Sequence, residues 1–481
     1  MKVYLLNAPY MDNFVRCGRW QGVAARGGTL YYPLWLAYTT GLLEKEGHQV
    51  KLVDAIASKW QLDDVIKDVI AFSPDIIVID SNFSSMKNDC MIANALKEKT
   101  DAITILTGTP TKVYADDILN LGLDIVTRME YDYTVLDIVN TLEKGDDLAN
   151  VNGISYQHEG IKVHNPERKP TIDQDLDNLP YVSKVYQKYL NIEDYFLNHA
   201  YHPMVQIFTT RGCPNQCTFC SWPENLMGRT YRTRSIDSIL GEFAYIINEL
   251  PMVKEIFIED DSFTINKQRV LDFCAEIKKR DLKVRWGCQS RATLDYETMV
   301  AMKSAGCRLL DVGYESGNLE ILKNIRKGTT PEILREFTKN ARKAGLKILA
   351  DFVIGFPGET KETAEETIKF IKEIKPDILQ IAVATPMPGT QFYNYVKENN
   401  YLLVDDLSES LDENGFQKCI VSYPWLSNVE IQQYVDRALK EYYLSLSYLG
   451  VALGNVLSKN MFHEIKMLWT SAWGYFKYSN R

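Results

Sequence analysis

Short continuous apolar runs alternate with amphipathic segments of helical period in two successive blocks, and this pattern restricts the fold more than any other feature of the chain. In the first block the runs are Val3–Leu6, Val50–Val53, Ile76–Ile79, Ile103–Leu106 and Ile125–Val126, separated by Leu34–Lys45, Leu62–Ala71 and Met91–Lys99. Runs this short and this apolar are predicted to be strands of a parallel, doubly wound (Rossmann-like) α/β sheet covered by the intervening helices. The second block has predicted strands at 205–210, 254–258, 283–287, 308–313, 347–354 and 378–384, each followed by a helical stretch. Six βα units suit a partial TIM-type (β/α)6 barrel better than a closed eight-stranded one. In both architectures ligands bind beyond the carboxyl ends of the strands.

Between the blocks, Asp147–Lys169 reads as loop and hairpin, and Asp173–Pro180 is an acidic connector that ends in proline. The expected domains are therefore 1–142 (Rossmann-like), 143–203 (linker), 204–399 (partial barrel) and 400–481 (C-terminal helical region). Lys plus Arg is 54 and Asp plus Glu is 63, a net charge of −9, the wrong sign for a nucleic-acid partner. Met1 leads directly into a short apolar run without a charged n-region or cleavage site, so the expected compartment is cytoplasmic. Nine cysteines in a large chain of this kind do not suggest a disulfide scaffold.

Three of the nine crowd into Thr209-Thr210-Arg211-Gly212-Cys213-Pro214-Asn215-Gln216-Cys217-Thr218-Phe219-Cys220, directly after the first predicted barrel strand. This C-x3-C-x2-C spacing lets one loop wrap three thiolates around a compact soft-metal centre, and Gly212 and Pro214 permit the sharp path. Four irons held by three cysteines leave one iron open to a substrate or cofactor, whereas structural zinc needs a fourth ligand close by. The competing readings are buried thiols, or a zinc site that borrows His199 or His202.

On this triplet and its position the chain resembles the radical S-adenosylmethionine (SAM) superfamily. The resemblance implies that Cys213, Cys217 and Cys220 ligate a 4Fe-4S cluster whose open iron chelates SAM, and that one-electron reduction cleaves SAM to methionine and a 5′-deoxyadenosyl radical. The further motifs follow in order. Glu259-Asp260-Asp261 ends the second strand, where the family contacts the SAM amino group; Asp260 and Asp261 are the preferred candidates, with Glu259 open as a third. Ser290 and Arg291 follow the third strand and Glu315 the fourth, as polar strand ends facing SAM; the competing role for Arg291 and Glu315 is a buried ion pair with each other. Gly355 belongs to the Gly-Phe-Pro-Gly-Glu segment that packs on adenine, Pro386 to a sixth-strand loop over the pocket, and Phe219 lies inside the cysteine motif.

A doubly wound domain ahead of such a barrel is similar to the cobalamin-binding branch of the superfamily, which makes cobalamin an expected cofactor. The implied contacts are Ser81, Ser84, Thr107, Gly108, Thr109 and Glu130, in the loops after the third to fifth strands. His48, the domain's one histidine, precedes a strand at the opposite end and reads as a surface turn residue, so no histidine is expected to ligate cobalt. Residues 10–30, with Arg16, Cys17, Arg19, Trp20 and Arg26, form a candidate lid whose arginines would meet an anionic substrate. Cys90, Cys274, Cys307 and Cys419 read as buried apolar residues, with Cys288 nearer the site.

The resulting expectation is a radical SAM enzyme that transfers a methyl group from cobalamin to a substrate carbon. The alternatives are a radical rearrangement, coupling or cyclisation of a lipid or natural product, and an iron-sulfur protein of electron transfer. Expected partners are a small-molecule or lipid substrate and an external one-electron reductant of the flavodoxin or ferredoxin type. The Tyr- and Leu-rich tail, Tyr442–Gly450 and Leu468–Tyr478, is a candidate for covering the barrel or resting on a membrane surface.

Overall fold

In the computed structural model, residues 1–16, 22–25, 27–445, 448 and 450 are described. The lid residues Cys17, Arg19, Trp20 and Arg26, and the tail from 451 onward, lie outside the described residues.

The main sheet of the first block has seven strands: β1 (Lys2–Asn7), β2 (Gln49–Asp54), β3 (Ile76–Ser81), β4 (Ile103–Gly108), β5 (Ile125–Thr127), β6 (Ile154–His158) and β7 (Ile161–His164). Their spatial order is β2-β1-β3-β4-β5-β6-β7. The first five are parallel, and the order reverses between β1 and β3, which is where a doubly wound sheet opens a ligand crevice. Strand β3 is buried at all six positions because helices cover both faces, so its sequence is continuously apolar rather than alternating. The hairpin β6-β7, which pattern alone placed in a linker, adds two antiparallel strands to the sheet through β5. The helix expected to start at Met91 starts at Met86.

The second block gives one six-stranded parallel sheet in sequence order: β8 (Met204–Ile207), β9 (Glu255–Ile258), β10 (Trp286–Ser290), β11 (Cys307–Glu315), β12 (Lys347–Ile354) and β13 (Ile378–Val383). Strand β10 begins three residues later than its apolar run suggested, because Lys283-Val284-Arg285 approaches it as loop. Each barrel helix starts at a side-chain cap that satisfies a free backbone N–H, among them Ser235, Asn266, Asp295, Thr330, Thr360 and Thr390.

Strands β8 and β13 do not pair, so the barrel stays open and has two edges whose backbone groups need partners. Tyrosines and a glutamine supply them. At β8, Tyr32 Oη donates to Met204 O at 2.8 Å, Tyr186 Oη to Gln206 O at 3.1 Å, and Phe208 N donates to Tyr38 Oη at 3.1 Å. At β13, Tyr443 Oη accepts from Leu379 N at 3.0 Å and donates to Leu379 O at 2.7 Å, while Gln417 Nε2 donates to Val383 O at 2.9 Å. Tyr32 is stacked between Tyr186 and Tyr195 at 4.0 and 3.9 Å. The helix α1 (Leu34–Lys45), buried over ten residues, thereby joins the two sheets around one hydrophobic core.

Candidate active site

The loop that carries the three cysteines is shaped independently of its thiols. Asp260, fully buried, accepts from Thr209 N at 2.6 Å and Thr210 N at 2.9 Å and so fixes the loop's entry. Gly212 has φ +84°, and a Cβ there would lie 2.0 Å from Thr230 O, so no other residue fits. The exit is tied down by Thr218, whose N–H donates to Ile325 O at 3.0 Å and whose carbonyl accepts from Phe392 N at 3.0 Å.

Cys213, Cys217 and Cys220 form no disulfide, and Cys220 lies near enough to the other two to sense their charge. Burial pushes the Cys220 thiol up to about 12, and Cys217, Cys213 and Asp261 add to the shift. Thiols crowded in this way ionise when a metal centre takes up the charge, which suits an iron-sulfur cluster with one thiolate on each of three irons. Arg291 Nη1 donates to Cys217 Sγ at 3.7 Å and Asn215 Nδ2 to Cys213 Sγ at 3.2 Å, the kind of sulfur hydrogen bond that tunes such a centre. His199 and His202 lie at the amino ends of the barrel strands: His199 O accepts from Arg308 at the start of β11, and His202 Nε2 meets Glu193 O at 2.9 Å. Neither histidine is available to complete a zinc site with the loop.

The strand ends sort the acidic candidates. Glu259 accepts from Gln206 Nε2 at 2.9 Å and Asp260 is occupied by the loop entry, while half-buried Asp261 lies close enough to Cys220 to act on its thiol. Ser290 Oγ bonds Thr264 Oγ1 and Arg291 O, both at 3.0 Å. Phe219 packs on Phe356 at 4.8 Å, and Gly355 has φ +106° with Ile431 3.1 Å from where a Cβ would sit. Pro386 is buried in the loop after β13.

Glu315 does not pair with Arg291. Its Oε1 accepts from Lys327 Nζ at 2.6 Å, while Arg291 donates to the Lys327 carbonyl as well as to Cys217. Lys327 is the residue that sequence reasoning missed. Burial alone would lower its ammonium, but Glu315 and then Cys217 outweigh this and hold it above the usual lysine range. The pair lies against Gly313: a Cβ there would be 2.3 Å from Glu315 Oε1 and 2.7 Å from Lys327 Nζ, so any other residue would push the two charged ends aside. Glu315 also has φ +65°, where β11 shifts register against β12, a strained backbone of the kind found at binding sites. The one available signal was the lone lysine before Gly328-Thr329-Thr330-Pro331 at a helix start. Removing one partner of a buried pair leaves an uncompensated charge, so Lys327→Met should cost about 3–5 kcal/mol in chemical denaturation. The double variant Lys327→Met/Glu315→Leu should recover most of that loss but not SAM affinity, measured by isothermal titration.

On the other sheet, Ser84 Oγ and Thr109 Oγ1 are buried and have no hydrogen-bond partner among the described residues. Gly108 has φ +102°, and a Cβ there would meet Ser81 O at 2.1 Å. Unsatisfied hydroxyls beside a glycine turn at the strand ends suit a macrocycle with amide arms. The remaining candidates are engaged within the protein. Ser81 Oγ donates to Asp89 at 2.8 Å and Thr107 Oγ1 to Ile79 O at 3.1 Å. Glu130 accepts from Thr171 Oγ1 at 2.7 Å and pairs with Arg232 and, at 3.7 Å, with Arg211. Arg16, expected to meet a substrate, is buried and paired with Asp89 at 2.7 Å. His48 is buried rather than on the surface, with Nε2 2.9 Å from Asn140 Oδ1, at the end of the sheet away from the crevice.

These two ligand ends face each other. Lys112, after β4, donates to Glu224 O beside the cysteine loop at 2.9 Å, and Phe83 and Tyr114 pack with Met387, Leu407 and Ile420.

Comparison with known proteins agrees with this arrangement. The profile of the radical SAM superfamily matches residues 207–371 and that of the B12 binding domain residues 20–139. An uncharacterized methyltransferase of Pyrococcus horikoshii is 35% identical over 380 residues, covering 78% of this chain and 81% of the relative. The anaerobic magnesium-protoporphyrin IX monomethyl ester cyclase of Rubrivivax gelatinosus is 26% identical, covering 85% and 78%. Among solved structures, the radical SAM methyltransferase TsrM of Kitasatospora setae, with cobalamin and a [4Fe-4S] cluster bound, superposes with a TM-score of 0.70 at 16% identity over 98% of this chain and 99% of that one. The cobalamin-dependent radical enzyme OxsB, with aqua-cobalamin and SAM bound, gives 0.71 at 19% identity over 99% and 72%.

Proposed function

The chain belongs to the radical SAM superfamily, with a B12 binding domain ahead of its barrel, and on that premise we propose that it methylates a carbon atom of a small-molecule or lipid substrate. The carrying observation is the apposition just described: the three-thiol loop and the crevice with the unsatisfied hydroxyls open toward one another between the sheets.

When bound, cobalamin supplies the methyl group and SAM the radical that activates the substrate. The chain's own residues hold the parts in place. Cys213, Cys217 and Cys220 ligate the cluster, Asp261 pairs with the SAM ammonium, and Arg291 and Lys327 provide positive charge beside Cys217 and Glu315. Phe219, Phe356 and Gly355 supply apolar contact for adenine, the two rings tilted 47° to each other. Ser84, Thr109 and Gly108 would receive the macrocycle, and His48, at the far end of the sheet and bonded to Asn140, would take no part in holding it. Buried Phe83, Met387, Leu407 and Ile420 exclude water from the interdomain space. Reduction requires an external one-electron donor. Among the described residues no helix is long and apolar enough to cross a membrane.

A second reading, radical ring closure without methyl transfer, is favoured by the likeness to the cyclase relatives. Product analysis after anaerobic reconstitution separates the two. Methylation is expected to yield S-adenosylhomocysteine together with 5′-deoxyadenosine, and 5′-deoxyadenosine alone would assign the chain to the second reading.

A further inference from the structure

The segment that follows the barrel returns to the carboxyl end of β12. Tyr423-Pro424-Trp425-Leu426 closes a tight turn, in which Tyr423 N donates to Leu426 O at 3.0 Å and Leu426 N to Tyr423 O at 3.2 Å. Proline at the second position presets such a turn. The rings on either side of it, Tyr423 and Trp425, stack at 5.4 Å with planes 7° apart, and Tyr401 meets both in T-shaped contact at 5.3 and 5.9 Å.

From this aromatic base two donors reach one short loop, Gly355–Glu359. Tyr423 Oη donates to Gly355 O at 2.8 Å, and Trp425 Nε1 donates to Glu359 O at 2.9 Å. The first and last carbonyls of the loop are thus held by the segment after the barrel. Within the loop, the buried Glu359 side chain accepts from Gly355 N at 3.3 Å and from Thr363 Oγ1. Ile431, in the helix Asn428–Tyr443, closes a further side, 3.1 Å from where a Gly355 Cβ would be. The loop also carries Phe356, which is buried and lies 4.8 Å from Phe219 of the cysteine loop. A peptide unit is planar and turns as one body, so the bond to Gly355 O also fixes the plane that leads into Phe356. The Tyr423 hydroxyl is thereby linked to the cysteine loop through one peptide unit and one ring contact.

We propose that Tyr423 and Trp425 are positioning residues for SAM: from outside the barrel they hold the Gly355–Glu359 loop at the spacing from Phe219 that admits the adenine ring. The proposal rests on the radical SAM reading of the cysteine loop. Neither residue touches a reacting atom, so their contribution is equal in the ground and transition states. Losing such a contribution raises KM and leaves kcat alone.

The test uses SAM as the probe on reconstituted full chains carrying Tyr423→Phe, Trp425→Phe or the control Tyr443→Phe. The control removes the same kind of hydroxyl-to-carbonyl bond, to Leu379 O at the barrel edge. Tyr423 is 3% exposed, so its variant leaves a buried carbonyl without this donor, and the SAM KM for 5′-deoxyadenosine formation should rise about tenfold. Its kcat should stay within about twofold of the parent, and Tyr443→Phe should change neither. Methionine, which has the chelating amino and carboxylate groups but no adenosine, should alter the electron paramagnetic resonance of the reduced cluster at the same concentration in parent and Tyr423→Phe. An unchanged KM in both variants, an equal rise in Tyr443→Phe, or an equal weakening of methionine would overturn the proposal. If Tyr423→Phe does not fold, Trp425→Phe, at a side chain 45% exposed, decides by the same split between KM and kcat. A parent that binds no SAM removes the radical SAM reading and this proposal together, whereas a parent that binds it beside unchanged variants removes the proposal alone.

Discussion

Serine at Cys217 is expected to abolish reductive SAM cleavage altogether while leaving the chain folded. Beyond the 3.7 Å contact from Arg291, the thiol takes no part in holding its loop: Asp260 fixes the entry, Gly212 the turn and Thr218 the exit, all through the loop's backbone groups. What serine removes is one of three soft ligands, and a hydroxyl is a poor substitute for a thiolate on iron. The variant should therefore retain the parent's circular dichroism spectrum and denaturation midpoint, lose most of its bound iron on reconstitution, and form no detectable 5′-deoxyadenosine. Cys419→Ser is the matched control. Cys419 is also buried but lies in the C-terminal segment with its Sγ 3.3 Å from Val421 O, so its replacement should cost some stability, about 1 kcal/mol, and leave iron content and SAM cleavage intact. Full activity in Cys217→Ser would remove the cluster assignment.

The sequence alone displayed the parts of this molecule whose physics is local. Strand β12 and helix α1 fall where their apolar patterns place them, Lys347–Ile354 and Leu34–Lys45, and the triplet of cysteines is recognisable from spacing because one loop carries all three ligands. Pairing across the fold was not legible. Glu259, Asp260 and Asp261 are equivalent as letters, and only the fold assigns the first to Gln206 and the second to the loop entry. Arg291 and Glu315 have opposite charges at adjacent strand ends, yet Lys327 reaches Glu315 over the gap left by Gly313. Arg16 and Glu130 were exposed-looking charges in loops, and both are buried ion-pair members, since their partners Asp89 and Arg232 lie far away in sequence. The burial of His48 was hidden for the same reason: it sits in a turn, and its partner Asn140 is on a helix more than ninety residues later.

The second large effect is expected at Arg211, two residues before the first cluster ligand. Its guanidinium is 1% exposed, lies 4.3 Å from the Trp35 ring, and donates to Asp132 at 2.6 Å, with Glu130 at 3.7 Å. Trp35 belongs to α1 and Asp132 to the helix after β5, so one side chain of the cysteine loop grips the cobalamin-binding sheet. Asp132 and Glu130 outweigh the burial that would otherwise weaken the cation, and hold it firmly charged. Arg211→Met leaves Asp132 buried without its cation, which costs about 3–5 kcal/mol. Arg211→Lys keeps the charge but not the planar fork that can serve two carboxylates and stack on indole, and should recover only part of it. The cysteines themselves are untouched, so iron content and SAM affinity should survive in both variants. The expected signature is a split: 5′-deoxyadenosine still forms, whereas methyl transfer from SAM to cobalamin, which needs the two ligand ends in register, falls at least about a hundredfold, because a displacement of about 1 Å can cost that much. In the cofactor-free chain, calorimetry should resolve two unfolding transitions where the parent gives one. A single transition together with unchanged methyl transfer in Arg211→Met would show that the hydrophobic contact of α1 with β8 alone sets the geometry.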